Sequence, residues 1–130
     1  MYDKPTAAEL VGAVRAFLEE QVMPALEGRV AFHARVAANA LGIVERQLEL
    51  APADEAAERD RLAALLGHGG SLDEQNRELC RRIRSGELGP DTPGLVSHLR
   101  ETTLAKLAVD QPRYESYRRA LAQRRGGAPR

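Results

Sequence analysis

The chain has 130 residues, 43 % of them hydrophobic, with 19 basic and 19 acidic side chains and no formal net charge. That length can bury a real core without staples, and zero net charge leaves no global field to draw it onto nucleic acid or an anionic membrane. One cysteine, Cys80, excludes an internal disulfide and a cysteine metal cluster, and a chain without tryptophan must build its core from leucine, valine and alanine.

Taken in chain order, the punctuation is that of helices. Thr6-Ala-Ala-Glu9 is a capping-box pattern. Leu10, Val11, Val14, Phe17, Leu18 and Val22 then recur at three- and four-residue spacing until Pro24. After Gly28, residues Arg29 to Leu50 form a proline-free segment whose apolar residues cover more than half of a helical wheel. So wide an arc predicts a central helix, buried among several neighbours.

Ala51-Pro52-Ala53-Asp54 reads as a break with Asp54 as an N-cap, followed by a short helix with Leu62, Leu65 and Leu66 that stops at Gly67. Ser71-Leu-Asp-Glu74 is a second capping box, opening a helix with Leu72, Leu79, Cys80 and Ile83 on one side. Thr92-Pro93 fits an N-cap with proline at the first helical position, before a helix holding Leu95, Val96, Leu99, Leu104 and Leu107. Past Pro112, a short stripe of Tyr114, Tyr117 and Leu121 is a candidate interaction face. No segment alternates as a strand does. The expectation is an all-α, single-domain bundle of five or six helices around the long helix at about residues 29–50. It would occupy residues 1–125, with 126–130 as a flexible tail.

Polar residues on apolar faces are the candidates for chemistry. His33 falls near the centre of the wide arc of the long helix, where burial requires a partner. It reads first as a core histidine bonded to a carbonyl or carboxylate, and second as a ligand-contacting or acid–base group. Asn76 sits among Leu72, Leu79, Cys80 and Ile83, and Lys106 precedes Asp110 by one turn. Should the helices converge, His33, Asn76, Lys106, Asp110 and Tyr114 could line one polar pocket. Arg35, Asn39 and Arg46 form a polar ridge opposite the arc. Cys80 reads as a small buried hydrophobe rather than a nucleophile.

Catalytic and cofactor signatures are missing from the sequence. There is no Glu-x-x-His pair for a di-iron bundle, no glycine-rich phosphate loop and no Gly-x-Ser-x-Gly elbow. The expected answer is no cofactor and no metal. The basic C-terminus, Arg113 to Arg130, reads as a solvated face without nucleic-acid binding. The N-terminus lacks the form of a secretory signal and no apolar run reaches the ~20 residues of a membrane span, so a cytoplasmic protein without membrane attachment is expected.

Four stretches, PTAAEL, GRVAFHARVAANAL, NRELCRRIRSGEL and TTLAKLAVDQPRYESY, resemble a bacterial family of domains of unknown function over roughly residues 3 to 117. Members of that family resemble accessory proteins encoded beside, or fused to, aminoglycoside-phosphotransferase-like kinases and acyl-CoA dehydrogenases. The resemblance implies a partner of that kind in acyl-CoA or related metabolism, and it supplies no catalytic residue. The chain thus reads as a non-catalytic helical accessory domain, able also to form a homodimer. The alternative is a small-molecule binding protein or minor enzyme with a polar pocket for an anionic ligand such as an acyl-CoA or nucleotide.

Overall fold

The computed structural model describes residues 4–126, and their regular structure is entirely helical, without a strand. Five α-helices follow one another: α1 (Ala7–Phe17), α2 (Gly28–Leu66), α3 (Leu72–Arg84), α4 (Leu95–Asp110) and α5 (Glu115–Gly126). A π-helical turn, Leu18–Val22, and a 3-10 turn, Met23–Ala25, carry α1 onward before the chain reverses into α2. Both capping boxes form. Thr6 Oγ1 accepts from the Glu9 amide at 3.2 Å while the Glu9 carboxylate accepts from the Thr6 amide at 2.7 Å. Ser71 and Glu74 repeat the arrangement at 3.3 and 3.2 Å. The 127–130 part of the expected tail lies outside the described residues, and at 126 the helix α5 is still present.

The central helix is longer than the sequence suggests. No break occurs at Ala51–Asp54, because α2 runs on to Leu66 with Pro52 inside it. Pro52 has no N–H for the Leu48 carbonyl, which costs the helix one bond. The good helix formers on either side, Ala51, Ala53, Glu55, Ala56, Ala57 and Glu58, keep the remaining ladder helical. The proline also marks the boundary between two compact units, Met1–Ala51 and Pro52–Arg130. Helix α4 departs from expectation at its start. Gly94, at φ 85°, precedes its first residue, and Thr92 accepts from the Gly89 amide at 2.9 Å instead of capping the helix.

In the first unit, α1 and the N-terminal half of α2 form an antiparallel pair that closes over small residues. Ala38 is 2 % exposed, Gly42 is buried, and Ala31 and Ala34 beside them are half-buried. A methyl group on Gly12 would meet the Glu45 carboxylate at 2.7 Å, and one on Gly42 would lie 3.3 Å from Arg46 and 3.5 Å from Arg15, so Gly12 is the tighter of the two. Arg15 Nε donates to Glu45 Oε2 at 2.8 Å across the same seam.

The wide apolar arc of α2 therefore faces the other way. Val30, Phe32, Val36 and Val44 are all exposed, and His33 at the arc's centre is exposed too. The expectation of a buried arc with a core histidine is corrected. Apolar width shows how much a helix could bury, whereas the small residues decide which side a neighbour reaches.

The second unit has the leucine core. Leu62 and Leu66 of α2, Leu79 of α3 and Leu95 of α4 pack together, with Leu65, Leu72 and Leu88 against them. Cys80 is exposed, not buried, because Leu79 and Gln75 take the inner face of α3.

Candidate functional site

Two features of the second unit are placed where function could reside. The first is a partly buried polar cluster around the buried His98, linking three helices. Asn76 of α3 donates to Glu58 Oε1 of α2 at 3.0 Å, and Arg61 of α2 reaches Thr102 Oγ1 of α4 at 3.5 Å. His98 of α4 is 2 % exposed and interacts with both Arg61 and Glu58. Burial first, then the Arg61 charge, hold the imidazole pKa below its usual value, against the opposing pull of Glu58. Its Nδ1, and Arg61 Nε, are buried without a hydrogen-bond partner. At 2 % exposure this imidazole is closed off from solvent, and no substrate atom can reach Nδ1. Gln75, the other buried polar side chain of this unit, donates to the His68 carbonyl at 3.2 Å.

A charged surface network continues from α3. His68 Nε2 lies 2.9 Å from Glu78 Oε2, and its Nδ1 lies 2.9 Å from the Gly69 carbonyl. That carbonyl first, then Glu78, raise the His68 pKa above its usual value. Glu78 in turn pairs with Arg82, which also faces Glu87 at 3.5 Å.

The second feature is an apolar groove of about 400 Å³ between α3 and α4, lined by Ile83, Leu88, Pro90, Leu95, Val96 and Leu99 together with Gly86 and Gly89. Ile83, Val96 and Leu99 keep 38, 57 and 44 % of their surface exposed at its rim. The loop along its floor uses its own amides internally. Gly86 N–H donates to the Ile83 carbonyl, Leu88 N–H to the Arg82 carbonyl, and Gly89 N–H to Thr92 Oγ1. No amide of that set points outward to grip an anion. The groove suits apolar side chains.

The residues expected to share one polar pocket belong to both units, His33 to the first and Asn76, Lys106, Asp110 and Tyr114 to the second. Asn76 joins the polar cluster, whereas His33 stands on the exposed arc of the first unit, with Arg29 Nε donating to its Nε2 at 3.4 Å and the Phe32 ring edge-on at 5.6 Å. Lys106, Asp110 and Tyr114 occupy exposed positions. Among the described residues, no hydrogen bond or ion pair joins any two of the five. Arg35 and Asn39 are exposed and Arg46 is half-buried. Within the Tyr114, Tyr117, Leu121 stripe, Tyr114 is 50 % exposed and the other two are half-buried. His98 and Arg61 escaped notice in the sequence, yet their signal was present: Leu95, His98 and Thr102 lie on one helical face. Among the described residues no cluster of three metal-ligating side chains occurs, and no helix is long and apolar enough to cross a membrane.

Fold and site define an all-helical protein with a partly buried polar cluster and an open apolar groove. Residues 24–114 match a family described as a domain of unknown function, and the chain belongs to that family, DUF6285. No curated protein and no solved structure matches this chain.

Proposed function

We propose that this protein is a non-catalytic helical accessory domain that receives an apolar helix of a partner protein. The partner suggested by the family resemblance is a phosphotransferase-like kinase or an acyl-CoA-dehydrogenase-like enzyme. The observation that carries this reading is the groove between α3 and α4. Its lining side chains are aliphatic, its rim exposes Ile83, Val96 and Leu99, and the loop amides beneath are already satisfied. A small-molecule site pairs an apolar wall with a few convergent polar groups, and an amphipathic helix needs only the apolar wall.

Co-purification with each of the two partner classes at micromolar concentration tests the reading. Val96→Asp together with Leu99→Asp, both at exposed positions, should abolish the complex while leaving helical content unchanged. Absence of any complex, or a complex indifferent to both substitutions, overturns it. A melting temperature raised by acyl-CoA or nucleotide alone would support the small-molecule alternative instead, since only ligands of the folded state stabilise it.

A further inference from the structure

The N-terminal half of α2 carries far more apolar surface than the α1–α2 pair uses. Val30, Phe32, Val36, Val44, Leu48 and Leu50 keep between 38 and 60 % of their surface exposed. The arc they share has a seven-residue rhythm. Val30, Ala37, Val44 and Ala51 form one row, Val36, Ile43 and Leu50 another, and His33, Ala40 and Gln47 the row between them. Such a repeat marks a helix face that meets another helix along its length. Between Arg29 and Ala51 no carboxylate lies on this arc, because Glu45 and Glu49 stand on the opposite side of the wheel.

We propose that this face is the docking surface for a second copy of the same chain, its α2 antiparallel to the first about a two-fold axis at Ala40. The pattern is self-complementary under that reversal. On the central row His33 and Gln47 are equally far from Ala40, so each His33 meets Gln47 of the second copy, and Arg29, at the same angle on the wheel, stands at the end of the face. The ring nitrogen Nε2 of His33 already accepts from Arg29, which leaves the proton on Nδ1 to donate to the glutamine oxygen. Val36 meets Ile43 of the second copy and Ala37 meets its Val44, while Phe32 lies beside its Leu50 and Leu48 beside its Val30. Ala40 meets itself, and that small contact lets the two backbones approach closely.

The six apolar side chains that keep 38 to 60 % of their surface exposed, with Ala37, Ala40, His33 and Gln47 among them, form one continuous face for such a contact. A two-fold contact of this kind uses one patch twice and closes on itself. It involves only the first unit, so it stands or falls independently of the groove between α3 and α4.

Sedimentation of the full chain at about 50 µM tests the proposal, where a dimer of micromolar affinity is the main species. The expected mass is twice the 14.2 kDa of one chain. Val36→Glu with Val44→Glu, both at exposed positions, should return it to one chain with unchanged helical content. The axis is tested by Ala40→Cys in a Cys80→Ser background, which should cross-link on mild oxidation. Asn39→Cys, about 100° round the helix, should not. A monomer at that concentration overturns the proposal. So does a dimer that survives both glutamates, or one that cross-links through position 39 and not 40.

Discussion

The two units solve the same packing problem in opposite ways. In Pro52–Arg130 the largest aliphatic side chains point inward: Leu62 is 0 % exposed, and Leu66, Leu79 and Leu95 are nearly as buried. In Met1–Ala51 the fully buried positions among the described residues are Ala38 and Gly42, while Leu10, Val14, Phe17, Val30 and Phe32 all stay more than half exposed. The first unit closes by close approach of small residues and one ion pair, Arg15–Glu45. Its hydrophobicity is left for something outside the hairpin. The second unit buries its largest aliphatic side chains internally and leaves the short groove at Ile83, Val96 and Leu99, with Tyr114, exposed.

Substitutions to alanine should separate the two units most sharply. Leu62→Ala removes a side chain with no exposed surface and leaves a cavity, so about 3 kcal/mol of stability should be lost in chemical denaturation. Val36→Ala, measured where the chain is monomeric, should cost less than about 0.5 kcal/mol, and alanine's better helix propensity offsets even that. Equal losses at both positions would mean that the arc of α2 is buried after all. The converse change, Ala38→Leu, should cost about 2 kcal/mol, since the added carbons have no space at a position only 2 % exposed. A neutral Ala38→Leu would show that the hairpin seam is loose.

The contrast also explains what the sequence could reveal. Capping boxes at Thr6 and Ser71 and the stop at Gly67 were legible because a few adjacent residues determine them. The long helix was legible as a helix, but Pro52 suggested an end that propensity on both sides overrode. Burial of His33 was misjudged because a wheel shows which residues share a face and nothing about which face a neighbour takes. The small residues Ala31, Ala34, Ala38 and Gly42 were the better guide, at spacings of three and four. Of the polar cluster only Asn76 stood out. Arg61 and Glu58 look like ordinary charged helix positions until α3 and α4 are folded against them.

Cap removal should be a smaller effect and nearly the same in both units. Ser71→Ala and Thr6→Ala each leave the amide three residues on without its side-chain acceptor, a loss of about 1 kcal/mol. Hydrogen exchange should locate the loss in the first turn of α3 for Ser71→Ala and of α1 for Thr6→Ala. Protection lost evenly along the chain in either variant would mean that the units do not open separately.

The smallest effect expected is a pH dependence contributed by two histidines of the second unit with opposite signs. His98 has a folded pKa below 6.5, so the unfolded chain binds its proton first as pH falls. Its contribution is complete above 6.5 and is lost as pH drops through the folded value. His68 has a folded pKa above 6.5, so its contribution is complete below 6.5 and is lost as pH rises through the folded value. His68 is half exposed and solvent screens its pair with Glu78, which makes the alkaline loss the weaker of the two. Melting temperatures from pH 5 to 8 should therefore fall on the acid side in the parent chain. His98→Gln, neutral at every pH, should flatten that acid-side slope, and His68→Asn should flatten the shallower alkaline one. An acid-side slope that survives His98→Gln would mean that another group carries it, and that His98 is not held neutral by its burial beside Arg61.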